Sequence, residues 1–297
     1  MISFMGMGFL LVKAKVADSS HAKTFSSFLI YCGTPAMFIA SFQEMEYEST
    51  NNIYLLEAFL ISLAVQLLIF ALIALVLGRK IKIGKYKILT IGSFMGNVGF
   101  LGQPVVQALF PTSPLVSCYC MMFALSMNIL VFTLGEYLIS GQRKYISIKR
   151  LILNPTVLAA LVALPMYALK IKLPEAAFDI VYTARSMNAP VCMLILGLRL
   201  ASMNAKEVFG EPFAYLTSFM KLIVAPLITL LVVSVIPGLD NVFKVTMVIA
   251  AGTPCASVIL AIAEVHDCES KRAAYSLLVS SILCVVTLPL LALIVSR

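Results

Sequence analysis

Residues 92–110 read GSFMGNVGFLGQPVVQALF, an apolar stretch in which Gly92, Gly96, Gly99 and Gly102 alternate with Asn97 and Gln103 ahead of Pro104. Pro104 has no N–H to give the carbonyl of Phe100, and its ring crowds that turn. The glycines lower the cost of leaving helical geometry. The stretch therefore predicts a helix broken at Pro104. In hydrocarbon an unsatisfied backbone group costs several kcal/mol, so such a break must face protein or a watered cavity.

That the surroundings are hydrocarbon follows from the rest of the chain. Of 297 residues 61% are hydrophobic and 12% charged, against roughly a quarter charged in soluble domains. Mean hydropathy is +1.00, more than one buried core explains. A membrane crossing takes roughly 20 apolar residues. Runs of that character fall at 2–12, 24–42, 53–77, 86–109, 114–139, 151–169, 180–201, 212–236, 242–264 and 273–296. The first is half-length, and the chain is expected to begin downstream of the full-length start. The predicted fold is an all-α integral membrane protein of ten helices.

The net charge of +8 does not indicate a nucleic-acid partner, because the basic residues sit in short clusters between apolar runs. Lys13, Lys15 and Lys23, then Arg79 to Lys87, then Arg143, Lys144, Lys149 and Arg150, then Arg199 and Lys206, then Lys271 and Arg272 occupy alternate connections. The connection after the second run is acidic, with Glu44, Glu46 and Glu48. Positive loops stay cytoplasmic, so both termini are expected outside a plasma (cytoplasmic) membrane crossed many times. The cysteines, such as Cys118, Cys120, Cys192 and Cys284, lie in apolar runs without histidine partners, so no metal or cofactor is expected.

The basic loop near the midpoint divides the chain into 1–141 and 149–297, five runs each, which implies two inverted repeats. CGTPAM, with Pro35, is echoed by MNAPVCM, with Pro190, and the stretch around Pro104 by AAGTPCAS, with Thr253, Pro254 and Ser257. Pro254 would release the carbonyl of Ala250. Runs 4 and 9 are thus expected to be interrupted and to cross. Half-helix N-termini carry free N–H groups and partial positive charge, which favours an anion. Close helix packing is the competing reading of the same glycines and prolines. The candidate substrate-binding residues are Asn97, Gly99, Gln103, Pro104, Asn128, Asn188, Thr253, Pro254 and Ser257. Lys221 is the candidate for charge balance, with snorkelling to the interface as the alternative. Glu57, Glu136 and Arg185, near run ends, are expected to be solvated. Glu264 opens an acidic connection with His266, Asp267 and Glu269, where an N-cap or surface role is expected rather than proton coupling.

GNVGFLGQPVVQALF (96–110), NPTVLAALVAL (154–164), KLIVAPL (221–227), GTPCASVILAIAE (252–264) and the closing AAYSLLVSSILCVVTLPLLALIV (273–295) resemble, in order and spacing, the auxin efflux carrier family, including its bacterial malonate or malate carriers. The resemblance implies ten helices as inverted five-helix repeats, helices 4 and 9 crossing at their breaks, helices 1, 2, 6 and 7 as a scaffold, and helices 3–5 and 8–10 as a transport domain. Asn97, Pro104 and Pro254 match family positions. Ser257 departs, because many bacterial members have Asn there, so substrate identity does not transfer. The implied function is secondary transport of a small organic anion by alternating access, with a coupling proton or sodium ion and a homodimer both open. A sensor on the same fold and a sodium-coupled symporter of related fold are the alternatives. An enzyme is not expected, since His21 and His266 lie far apart with no nucleophile or metal motif nearby.

Overall fold

The computed structural model describes residues 2–18, 20–142, 144, 146 and 148–295. Arg143, one of the clustered cations above, lies outside them. Among the described residues the chain is helical throughout, with no strand. Helices α1 (Ile2–Lys13), α2 (His21–Glu44), α3 (Ser49–Lys82), α4 (Gly84–Phe94), α5 (Val98–Leu109) and α6 (Leu115–Ser140) precede the central basic connection. After it come α7 (Pro155–Ala168), α8 (Glu175–Ser202), α9 (Pro212–Val235), α10 (Asn241–Ala251), α11 (Val258–Val265) and α12 (Ser270–Val295). Six of these, α2, α3, α6, α8, α9 and α12, are long and apolar enough to cross a membrane, whereas α1, α5, α7 and α10 are shorter apolar helices.

The surface is apolar where a soluble protein's would be charged. Leu75 and Val76 on α3 are 81% and 84% exposed, and Ile180, Leu231, Val235 and Ile294 stand out similarly. Polar groups go inward. Ser62, Gln66 and Ser126 are buried and bonded to one another, with Ser62 Oγ and Ser126 Oγ 2.7 Å apart and Gln66 Nε2 donating to Ser126 Oγ at 2.8 Å. Lipid as solvent accounts for both halves of this inversion.

Three of the prolines, Pro104 among them, do not break their helices. The last amide before each, at Thr34, Gln103 and Ala225, reaches back five residues to the carbonyls of Leu29, Val98 and Met220. Each proline, Pro35, Pro104 and Pro226, then opens a fresh α-helical turn, where its missing N–H is not needed. The result is a π turn at 29–33, 98–102 and 220–224 in place of an interruption.

The chain forms two compact units. Met1–Asn51 with Ile152–Val208 makes unit 1, and Asn52–Leu151 with Phe209–Arg297 makes unit 2. In unit 1, α1 lies against α8 with Gly8 and Gly197 backbone to backbone; any side chain at Gly8 would strike the Leu194 carbonyl, and at Gly197 that of Met5. Asn154 caps α7 by accepting from Thr156 N–H at 2.8 Å, with Pro155 at the first helical position. Arg185 is not solvated as the sequence suggests. It is buried and donates to Glu44 Oε2 at 2.5 Å. Removing Glu44 would leave the buried Arg185 guanidinium unpaired, whereas Glu44 itself is a quarter exposed. Glu44→Ala is therefore expected to destabilise the purified protein by about 3 kcal/mol and Arg185→Ala/Glu44→Ala much less, as read by thermal unfolding in detergent.

In unit 2, α9 packs on α12, α10 packs between α6 and α9, and α4 packs against α9. Glu136 also departs from expectation, being buried on α6 and paired with His266. Glu57 is half-buried and Glu264 exposed.

Candidate functional site

The interruptions lie in unit 2, the first of them about two turns ahead of Pro104. Helix α4 stops at Phe94, Met95 is extended, and Asn97 leaves helical geometry with φ −82° and ψ 60° before α5 begins. Helix α10 stops at Ala251, and α11 resumes at Val258. The two gaps lie antiparallel and pair like a two-residue ladder at Gly96 and Cys255. Asn97 N–H donates to the Pro254 carbonyl at 2.8 Å, and Ala256 N–H to the Met95 carbonyl at 3.2 Å. Both broken helices thereby satisfy each other's main chain, which is what hydrocarbon demands of an interruption.

Side chains finish the accounting. Thr253 Oγ1 donates at 2.8 Å to the Ala250 carbonyl, the acceptor that Pro254 releases. Cys255 N–H donates to Ser280 Oγ on α12 at 3.1 Å. Lys221, in the π turn of α9 and 1% exposed, donates from Nζ to the Ala251 carbonyl at 2.6 Å. A cation at the carbonyl end of α10 opposes the negative end of that helix. Lys221 therefore does not snorkel; it caps a half-helix inside the crossing.

The glycines make the crossing close. A methyl at Gly96 would stand 2.7 Å from Lys221 Nζ and meet Thr253 Oγ1; at Gly102 it would stand 2.8 Å from Thr253 Cγ2, and at Gly92 2.5 Å from Thr217 Cγ2. Thr253 is thus wedged against Gly96 and Gly102, and for these glycines the packing reading applies.

Of the candidate residues, Asn97, Gly99, Gln103, Pro104, Thr253, Pro254 and Ser257 all fall on the two gaps and the helix starts that follow them. Asn97, Gln103, Thr253 and Pro254 are buried, Gly99 and Pro104 half-buried, and Ser257 exposed at the start of α11. Helix α5 opens with the N–H groups of Val98, Gly99 and Phe100, which precede any intrahelical acceptor. Asn128 is half-buried on α6 and donates to its own helix, at Ala124, at 2.8 Å. Asn188 belongs to unit 1, not to the crossing, where it donates to the Gly33 carbonyl at 2.8 Å beside the π turn of α2. Sequence reasoning missed Ser280 and Cys255; their contribution is visible only once the two gaps are adjacent. Chemically, the crossing offers helix-start amides, amides of side chains and a nearby buried ammonium.

The sequence profile of a family described as membrane transport protein matches residues 1–292. The chain belongs to that family, the auxin efflux carriers. Membership makes it a membrane transporter and not an enzyme. This auxin efflux carrier family member is also similar to an uncharacterized transporter of Methanocaldococcus jannaschii, at 23% identity over 276 residues, covering 90% of this chain and 87% of that one.

Proposed function

We propose that the chain is a secondary transporter that moves a small organic anion, a mono- or dicarboxylate, across the plasma membrane by alternating access. The observation that carries this reading is the paired interruption at 95–97 and 252–257, with its helix-start amides, Asn97 and buried Lys221 in one compact unit. Fixed N–H groups and a helix N-terminus bind a carboxylate without needing an arginine in the membrane.

In this reading ten segments cross the membrane as two inverted five-helix repeats, 1–141 and 149–297, with both termini outside. Each compact unit draws on both repeats: unit 1 holds α1, α2, α7 and α8, and unit 2 the remainder. That division supports unit 1 as the scaffold and unit 2 as the moving part, with the anion held at Asn97 and Gly99. An inverted pair of repeats supplies the two alternative postures that alternating access requires.

Flux of radiolabelled carboxylates into proteoliposomes tests the reading. Binding of a carboxylate without flux would instead indicate a sensor. Asn97→Ala is expected to insert and fold normally while losing uptake on the order of tenfold to a hundredfold, the effect of one hydrogen bond to a charged group. Wild-type uptake by that variant would remove Asn97 from the site.

A further inference from the structure

Away from the crossing, unit 2 buries a second set of titratable groups. His266 Nε2 and Glu136 Oε2 are 2.6 Å apart, and the two side chains are 7% and 8% exposed. Glu136 follows the π turn Val131–Gly135 of α6. His266 ends α11, where its N–H donates to Ile262 at 3.1 Å and Cys268 N–H wraps back to Ala263 at 2.8 Å, with Asp267 in the left-handed region at φ 47°. That wrap fixes the ring at the carbonyl end of the helix. Helix α11 is eight residues long, so the pair lies about 12 Å of rigid helix from the crossing.

Burial penalises net charge. Sharing one proton the pair is neutral overall; with none it carries −1 and with two +1. On the chain after His266, Asp267 is exposed, and Glu264 before it is exposed too. Glu269 is held by Arg272 at 2.6 Å, which also reaches Glu211 at 3.4 Å. On α4, Lys87 donates to the Ile139 carbonyl at 2.8 Å and Lys85 lies over the Phe213 ring. Lys271 and Tyr137 are exposed, and burial pushes the Cys268 thiol up. Helix α11 links the pair to the crossing.

We propose that Glu136 and His266 form a proton-binding site, and that the proton bound there moves with the transported anion. The proton comes from water on one side and returns to water on the other, changing only an N–H or O–H bond. The inference rests on the carrier reading above and names its coupling ion.

The test uses the full chain in proteoliposomes with radiolabelled malonate and malate as probes and protein-free vesicles as background. An acid-outside gradient is expected to raise accumulation about tenfold per pH unit, the figure for one coupled proton. Glu136→Gln and His266→Gln are expected to keep exchange of internal for external substrate and to lose the response to the gradient. Wild-type exchange that ignores the gradient overturns the proton site and leaves the carrier reading standing. Should neither probe move, the carrier reading fails for these anions, and the site is decided without substrate. The chain has two histidines, so ¹⁵N-histidine spectra resolve His266 from His21. Glu136→Gln is then expected to shift the pH profile of His266 and not that of His21, and an unmoved His266 profile overturns the proposal.

Discussion

Gly96→Ala is expected to abolish transport and to lower the thermal stability of the purified protein. The added methyl would meet Thr253 Oγ1 and stand 2.7 Å from Lys221 Nζ, both fully buried. Neither side chain can retreat cheaply, because Thr253 is bonded to the Ala250 carbonyl and Lys221 to that of Ala251. Overpacking of this kind costs about 1–3 kcal/mol. Here it also forces apart the two gaps, whose pairing at 2.8 and 3.2 Å occupies the main-chain groups at the interruption. Gly6→Ala is the control: nothing stands within 4 Å of the added methyl, and alanine is the better helix former by up to about 1 kcal/mol. Uptake into proteoliposomes and melting in detergent read both effects. Wild-type transport by Gly96→Ala would mean that the close approach at the crossing is not required for function.

Lys221→Met is expected to reduce transport by more than tenfold and to destabilise the protein by about 1–3 kcal/mol, the loss from leaving a buried carbonyl without its donor. Methionine matches the length and apolar stem of lysine, so the change isolates the ammonium. What it removes is the cation at the end of α10 and, with it, positive potential beside the helix-start amides. Lys221→Arg is not expected to restore activity, because a planar guanidinium with five donors does not fit a place shaped by Gly96 around a single ammonium. If the methionine variant kept both uptake and stability, Lys221 would be a bystander. If it lost stability but kept uptake per folded molecule, the residue would be a structural cap alone.

Much of this architecture is legible in the sequence because it is local. Each apolar run carries its own signal, and the glycines, Asn97 and Pro104 of 92–104 and the Gly252, Thr253 and Pro254 of 250–257 mark where helices end. The exact place of the first interruption is not legible, because a proline can be absorbed two ways. At Pro104, as at Pro35 and Pro226, the preceding amide reaches back five residues and the helix widens. The gap itself falls at Met95–Asn97, where pairing with Pro254 and Ala256 replaces the missing helical bonds. Pairings across long separations leave no local trace. Lys221 and Ala251 are 30 residues apart, Asn188 and Gly33 155, Glu136 and His266 130. A lysine ten residues into an apolar run reads as a charge-balancing or a snorkelling side chain alike until its acceptor is in view, and a glutamate near a run's end reads as solvated until a histidine is found against it.

The clasp between the gaps is made at its centre by peptide atoms, Asn97 N–H to Pro254 O and Ala256 N–H to Met95 O. Any residue other than proline brings the same donor to positions 97 and 256. The geometry of the opening is thus insulated from the chemistry displayed beside it, and the exposed Ser257 can be exchanged for larger or more polar residues while the opening persists. A scaffold built this way tolerates change: side chains around the main-chain knot can be altered with no need to reinvent the knot.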